Sequence, residues 1–294
     1  MTHADIHPQH QRLAARLKEL RQAAGLSAAA LGEQLGWSQS KTSKMENGHS
    51  ALVLADIEQW LDTVQADEDV RAELLTLAQE AGTRVRPWRN SNRPDGPSQQ
   101  DARARRDATT SGIGVYQSEV VPGLLQTPDY ARRLREVHSL LPAAEIPAAE
   151  IPAAVLSLMN RQTVLFDESK QFDLVMTETA LRWRPGPASV MLAQLDRIAA
   201  LASLPNVRIG VLSRETQERT EVRPLHSFVL LRYDDAPTTV EIETLTAEQE
   251  VTDPADVKLY EQFLAEQQQF AEHGPALLAL LDRLRADLSS NTPL

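Results

Sequence analysis

The chain has 294 residues with the composition of an ordinary globular protein, and this length favours two domains. It contains no cysteine, which excludes disulfides, zinc–thiolate sites and cysteine nucleophiles. No apolar run reaches the ~18 residues that a membrane span needs, and the N-terminus lacks the features of a secretory signal. We therefore expect a cytoplasmic protein.

The net charge of −11 argues against nucleic-acid binding only if it is spread evenly, because an acidic surface repels phosphate. Residues 1–65 carry 6 basic and 7 acidic side chains, and residues 84–106 carry 7 arginines against 2 aspartates. The acidic excess lies in residues 66–83 and 107–294. DNA binding by the N-terminal part is therefore not excluded.

The first part of the chain, residues 11–80, has the leucine spacing of short amphipathic helices. Gly25 is predicted to end the first helix, and Ser27 to cap a second helix that runs through Leu35. Gly36 then permits a tight turn. These signals predict two helices in quick succession.

A third helix is predicted over residues 39–46, with Ser38 as its N-cap and Asn47 at its end. Its residues are short and polar, which suits a surface that approaches base edges. Two short helices joined by a glycine-containing turn form the DNA-binding helix-turn-helix. The pattern therefore predicts a helix-turn-helix domain over residues 1–83.

A basic linker is predicted over residues 84–107, because prolines, glycine and polar residues replace the apolar periodicity. Trp88 is a possible packing anchor in it. Two interpretations stay open: the arginines supply extra phosphate contacts, or the segment is only a soluble tether. The linker marks the boundary to a second domain at residues 108–294.

The second domain mixes helical and strand patterns, which predicts an α+β fold. Helices are predicted over residues 129–141, 153–165, 188–204, 254–270 and 275–288. Strands are predicted over residues 172–176, 207–212, 227–231 and 239–242.

Catalysis is not predicted, since the histidines lack metal or triad spacing and no nucleophile elbow or phosphate-binding loop is present. We expect no metal and no cofactor. Four residues of the second domain, Glu178, Arg182, Trp183 and Arg184, form a polar and aromatic cluster. They either line a partner or ligand pocket or form a solvated helix end with one packed tryptophan.

The segment RLKELRQAAGLSAAALGEQLGWSQSKTSKMENGHS, residues 16–50, resembles the helix-turn-helix of XRE-type regulators, the phage-repressor-like group. The resemblance implies an all-α, five-helix, lambda-repressor-like domain that binds double-stranded DNA as a homodimer. It also implies that Arg21 and Glu46 form a partly buried ion pair. Ala28 and Thr42 depart from the pattern, where relatives have a phosphate-binding Gln and a buried Ile or Val.

The same resemblance implies which side chains contact DNA. Gln39, Ser40 and Lys44 would point into the major groove, and Lys41 and Ser43 would lie beside them. Gln pairs well with adenine and Lys with guanine. The full set of implied DNA-binding residues is Ser27, Ser38, Gln39, Ser40, Lys41, Ser43, Lys44 and Asn47.

The second domain carries VPGLLQTPDYARRL at 121–134, NRQTVLF at 160–166 and TETALRWRPG at 177–186. These blocks resemble the C-terminal domain of actinobacterial XRE regulators, including WhiJ-like and antitoxin-like proteins. The resemblance implies a sensor or protein-binding module. Leu158 departs from the pattern, as relatives often have Arg there.

Together these features predict a DNA-binding transcriptional regulator whose second domain receives a signal from a protein partner or a small ligand. The alternative is an antitoxin-like protein that sequesters a small partner and binds DNA for autoregulation. A concave apolar pocket in the second domain would favour a ligand, and a flat apolar patch would favour a protein partner.

Overall fold

A computed structural model of the chain describes residues 8–48, 54–81, 83–87, 96–138, 147–218, 225–244 and 247–290. The chain divides into two compact units, residues 1–85 with 250–257 and residues 86–249 with 258–294. Trp88, the possible anchor, lies outside the described residues. Within the described ranges, no helix is both long enough and apolar enough to cross a membrane.

The first unit is helical, as its leucine spacing predicts. Its helices are Pro8–Ala23 (α1), Ala28–Leu35 (α2), Gln39–Glu46 (α3), Leu54–Thr63 (α4) and Glu68–Ala81 (α5). Leu13, Leu17 and Leu31 meet Trp60 and Leu61 in one buried cluster. The Trp60 indole Nε1 donates to the Leu17 carbonyl at 3.2 Å, which satisfies its only polar atom.

The second unit combines a sheet with helices that precede and follow its strands along the chain, which confirms the α+β prediction. After a short strand at the boundary, Thr83–Pro87 (β1), the strands are Gly112–Gln117 (β2), Gln171–Thr177 (β3), Val207–Leu212 (β4), Phe228–Arg232 (β5), Thr239–Glu243 (β6) and Ala247–Val251 (β7). The helices are Pro97–Asp107 (α6), Pro128–His138 (α7), Ile151–Arg161 (α8), Glu178–Arg182 (α9), Ala188–Leu201 (α10), Arg214–Gln217 (α11), Pro254–Phe270 (α12) and Gly274–Ser289 (α13).

Six strands of the sheet follow the order β7-β6-β5-β2-β3-β4. Strand β3 pairs parallel with β2 and with β4, whereas β5 pairs antiparallel with β2 and with β6. The parallel strands are almost entirely buried, as expected when helices cover both faces. Strand β2 therefore lies at the centre of the domain, between the parallel and antiparallel halves.

The structure differs from the predicted linker over residues 84–107. Residues 97–107 form α6, which packs against α8 in the second unit. Its buried side chains are Gln100, Arg103 and Asp107, so the helix has a polar face toward the domain. The C-terminal end of the supposed linker is therefore part of the second domain, although residues 88–95 are outside the described ranges.

Candidate nucleic-acid interface

Helices α2 and α3 are joined by a tight turn that local capping residues define. Ser27 Oγ accepts a hydrogen bond from the Ala30 amide at 3.0 Å, and Ser38 Oγ accepts one from the Lys41 amide at 3.2 Å. Between them Gly36 adopts the left-handed conformation with φ of 67°, which glycine favours. The predicted caps and turn thus fix where α3 begins.

Helix α3 has one buried side and one exposed side. Thr42 and Met45 are buried in the first unit. The exposed side carries four side chains of the implied DNA-binding set, Gln39, Ser40, Ser43 and Lys44. These side chains offer amide, hydroxyl and ammonium groups, which are the groups that bind base edges and phosphates.

Lys41 differs from its neighbours on α3, because the protein itself binds its ammonium group. Lys41 Nζ lies 2.8 Å from Asp56 Oδ1 of α4 and 4.0 Å from the centre of the Trp37 ring. These two contacts fasten the start of α3 to α4 and to the turn before it. Sequence reasoning did not identify Asp56, since its contact with Lys41 is set by tertiary packing.

Asn47 uses its side chain to close the end of α3. Its Nδ2 donates to the Ser43 carbonyl at 2.7 Å, and Asn47 remains exposed. Gly48 follows with φ of 68°, in the left-handed region that glycine favours. The amide group of Asn47 thus has a structural role in addition to the predicted phosphate contact.

Arg21 of α1 and Glu46 at the end of α3 form an ion pair. Arg21 Nε donates to Glu46 Oε1, and Arg21 Nη2 donates to Glu46 Oε2 at 3.2 Å. Arg21 Nη1 also donates to the Leu26 carbonyl in the segment that precedes α2. One guanidinium group therefore connects α1, the start of α2 and the end of α3.

The polar cluster of the second domain is bound by contacts within that domain. Glu178 is buried, and its carboxylate accepts from Arg182 Nε at 2.6 Å and from the Arg214 amide at 2.9 Å. Trp183 packs edge-on against Tyr130 with ring centres 6.5 Å apart, while Arg184 is exposed. The cluster connects α9 to α11 and to the core. The packed Trp183 fits the predicted solvated helix end with one packed tryptophan, but Glu178 is buried and not solvated.

The VPGLLQT block at 121–127 forms a buried turn whose carbonyl groups are satisfied by glutamines. Gln126 Nε2 donates to the Val121 carbonyl at 2.8 Å, and Gln162 Nε2 donates to the Gly123 carbonyl at 2.8 Å. Gln194 Nε2 donates to the Leu125 carbonyl at 2.7 Å. These hydrogen bonds give the VPGLLQT block a structural role in the second domain.

A cavity of about 410 Å³ lies within the second unit, beside this turn. It is bounded by β2, β5 and β6 and by the helices α6, α7 and α8. Sequence reasoning did not find it, because its walls come from six elements that are distant along the chain. None of the residues in the polar cluster around Glu178 is among those that line it.

Two family models match the chain. A helix-turn-helix domain matches residues 12–74, and a domain of unknown function, DUF5753, matches residues 100–283. No curated protein is significantly similar to the chain. One solved structure, of the archaeal chromatin protein TrmBL2 with its novel mode of DNA binding, aligns at 10% identity over 92% of this chain and 96% of that chain. Its TM-score of 0.26 is too low to indicate a shared fold. Because the second model covers more than half of the sequence, the chain belongs to the DUF5753 family and carries a helix-turn-helix domain before it.

Proposed function

We propose that this protein is a sequence-specific DNA-binding transcriptional regulator that inserts α3 into the major groove. The observation that carries the proposal is the division of α3 into a buried side, with Thr42 and Met45, and an exposed polar side. The match of a helix-turn-helix model to residues 12–74 supports it. The fold we assign to this domain is that of the XRE, lambda-repressor-like group.

On this proposal, Gln39 and Lys44 read bases. Both side chains are exposed on α3. A glutamine amide matches the donor and acceptor of adenine, and a lysine ammonium matches the acceptors of guanine. Each good contact supplies roughly 1–3 kcal/mol of discrimination against a wrong base. Ser40 and Ser43 lie on the same exposed side and would contact bases or phosphates.

We further propose that the protein binds DNA as a homodimer, since one short reading helix covers a single half-site. The second domain then has a regulatory role, similar to that of WhiJ-like regulators, and is not an enzyme. Its cavity favours a small ligand over the flat apolar surface that a sequestered protein partner needs. The experiment that tests the regulator also has an outcome that would favour the antitoxin-like alternative.

The experiment is a titration of the full chain against duplex DNA from the region upstream of its own gene. An unrelated duplex of equal length serves as the competitor, and each titration is run at two salt concentrations. We expect preferential binding that persists as salt rises, with a stoichiometry of two chains per site. If both duplexes bound equally, weakly and with a strong salt dependence, the proposal of a sequence-specific regulator would be refuted. This result would favour the antitoxin-like protein that sequesters a partner.

Two pairs of variants test the assignment of α3. Gln39→Ala should remove most of the preference for the upstream duplex, whereas Gln11→Ala on α1 should leave it unchanged. The second pair makes the same comparison with Lys44→Ala on α3 as the test and Lys18→Ala, at an exposed position of α1, as the control. If Gln39→Ala kept both affinity and preference, α3 would not be the reading helix.

A further inference from the structure

The cavity in the second unit has the size of a small-molecule site. Its volume of about 410 Å³ lies within the range of roughly 300–1,000 Å³ that is usual for ligand pockets. Three of its lining residues, Glu119, Glu243 and Thr244, are exposed, which places its opening beside them. The remaining walls are formed by buried or half-buried side chains.

One wall of the cavity is apolar. Val115 of β2, Leu124 of the VPGLLQT turn, Leu158 of α8 and Phe228 of β5 all line it, and each is at most 4% exposed. Such a wall favours the apolar body of a ligand, because burial removes apolar surface from water.

Another part of the lining belongs to an ion-pair network that begins on α6. Arg106 Nη2 lies 2.8 Å from Asp107 Oδ1, and Arg161 Nε donates to Asp107 Oδ2 at 2.6 Å. Arg106 also pairs with Glu241 of β6. Arg103 pairs with Glu243 and lies 3.4 Å from Glu248 Oε2. The network therefore joins α6 to α8 and to the strands β6 and β7.

The arginines around the cavity are accompanied by at least as many carboxylates. Four arginines line it, namely Arg103, Arg106, Arg135 and Arg161. Five carboxylates line it or pair directly with those arginines, namely Asp107, Glu119, Glu241, Glu243 and Glu248. The four arginines therefore do not give the surroundings of the cavity a net positive charge. An ionic ligand would bring an uncompensated charge into this buried network, which is unfavourable.

We infer that this cavity binds a small, uncharged, amphipathic molecule. Its apolar part lies against the wall of Val115, Leu124, Leu158 and Phe228, and its hydrogen-bonding groups face the wall of α6. The binding site belongs to the second domain alone. The regulatory consequence of such binding rests on the proposed function. Helix α6 follows residues 88–95, the segment after the helix-turn-helix domain. A ligand that contacts α6 therefore acts on the part of the second domain that is nearest in sequence to the DNA-binding domain.

The test uses a matched pair of fluorescent probes, N-phenyl-1-naphthylamine and its sulfonated derivative 8-anilinonaphthalene-1-sulfonate. Both brighten in apolar surroundings, and they differ by one negative charge. With the full chain we expect saturable binding of the uncharged probe at one site per chain. The anionic probe should bind more weakly by about tenfold or more, because its charge must be buried. Equal or tighter binding of the anionic probe would overturn the ligand class.

Two variants test whether the probe occupies this cavity. Val120 is half-buried at the cavity wall, so Val120→Trp should fill the space and abolish probe binding. A Cβ at Gly123 would lie 3.7 Å from Leu158 Cδ1, an ordinary contact, so Gly123→Leu is a second blocking variant if the first unfolds. Val137→Trp, at an exposed position outside the cavity, is the control. Unchanged probe binding by folded blocking variants would overturn the site.

The failure of this inference can be told apart from the failure of the proposed function. DNA titrations without any probe report the helix-turn-helix domain only. Selective DNA binding without probe binding would refute the cavity as a ligand site and leave the regulator intact. Probe binding that the blocking variants abolish, in a chain that does not select DNA, would support the site and refute the regulator.

Discussion

Arg21 and Glu46, 25 positions apart in the chain, form an ion pair in which both side chains are less than a tenth exposed. The pair joins α1 to the end of α3. Taking two charges out of water has a cost that their attraction only partly offsets, so the net contribution of such a pair is small. Breaking it is costly, because one buried charge then remains without its partner.

We predict that Glu46→Gln lowers the free energy of unfolding of the first unit by about 3 kcal/mol, since it leaves the Arg21 guanidinium without an opposite charge. The measurement is equilibrium urea unfolding. Glu19→Gln is the matched control: Glu19 pairs with Arg16 at 2.8 Å on the surface, and such pairs contribute at most about 1 kcal/mol. Equal losses in the two variants would contradict the prediction.

The two lysines of α3 should respond differently to substitution. Lys44 is exposed, so Lys44→Ala should lower DNA affinity and either relax the preference at one base or reduce the salt slope by about one. Lys41 is bound by Asp56 and Trp37, so Lys41→Ala should retain the base preference and lower the stability by about 1 kcal/mol. Competition titrations and thermal unfolding measure both effects. The prediction is wrong if Lys41→Ala removes the preference without changing the melting temperature.

The limits of α3 were predictable because they depend on local signals. Ser38, Gly36 and Asn47 set the cap, the turn and the end of the helix through contacts within a few residues, and these are visible in the sequence. The contact between Lys41 and Asp56 was not predictable, since α4 meets α3 only through tertiary packing. The sequence therefore predicts the limits of α3 but not the neighbouring residues that contact it.

Helix α6 was assigned to a linker because its buried face is polar. Gln100, Arg103 and Asp107 follow one another at helical spacing, but a search for apolar periodicity cannot detect such a face. Their burial depends on partners in α8 and in the strands β6 and β7. Such a helix is recognisable only once those partners are known.

Strand β2 escaped prediction because two glycines interrupt its pattern. A Cβ at Gly114 would lie 2.5 Å from Leu264 Cδ2 and 3.3 Å from Leu230 Cβ, so neighbouring elements leave no room for a side chain. Glycine weakens a strand locally and is typical of places where another element approaches closely. The central strand thus depends on packing that local propensity does not show.

The arginines of α6 give a third prediction. Arg103 pairs with Glu243 and Glu248, so Arg103→Gln should lower the stability of the second unit and leave the salt dependence of DNA binding unchanged. Arg105→Gln, at an exposed position of the same helix, is the control for stability. Salt-dependent titrations and urea unfolding separate the two effects. A reduced salt slope for Arg103→Gln at unchanged stability would show that this arginine contacts phosphate.

Thr42 leads to a prediction of increased stability. Its side chain is buried, and its Oγ1 has no hydrogen-bond partner among the described residues. A buried hydroxyl without a partner costs about 1–3 kcal/mol. Thr42→Val should therefore raise the free energy of unfolding by about 1 kcal/mol. Thr76→Val is the control, since the exposed Thr76 hydroxyl donates to the Ala72 carbonyl at 2.9 Å. A loss of stability in Thr42→Val would contradict the argument.

Asp107 should make the stability of the second unit depend on pH. Burial alone would raise the pKa of its carboxyl group, but the charges of Arg161 and Arg106 and their hydrogen bonds outweigh burial and lower the pKa below its usual value. A group with a lowered pKa in the folded state stabilises the protein above its unfolded pKa, and this contribution is lost as the pH falls through the folded pKa. The free energy of unfolding should therefore fall as the pH decreases below about 4.

The test of this dependence compares Asp107→Asn with the intact chain in urea unfolding between pH 7 and pH 3. At neutral pH the variant leaves the buried Arg161 without its partner, so it should lose about 3–5 kcal/mol of stability. Its stability should also decline less on acidification, because the titrating carboxyl group is gone. Asp101→Asn, at an exposed position of α6, is the control. If the acid dependence of Asp107→Asn equalled that of the intact chain, Asp107 would not be the group whose protonation weakens the network.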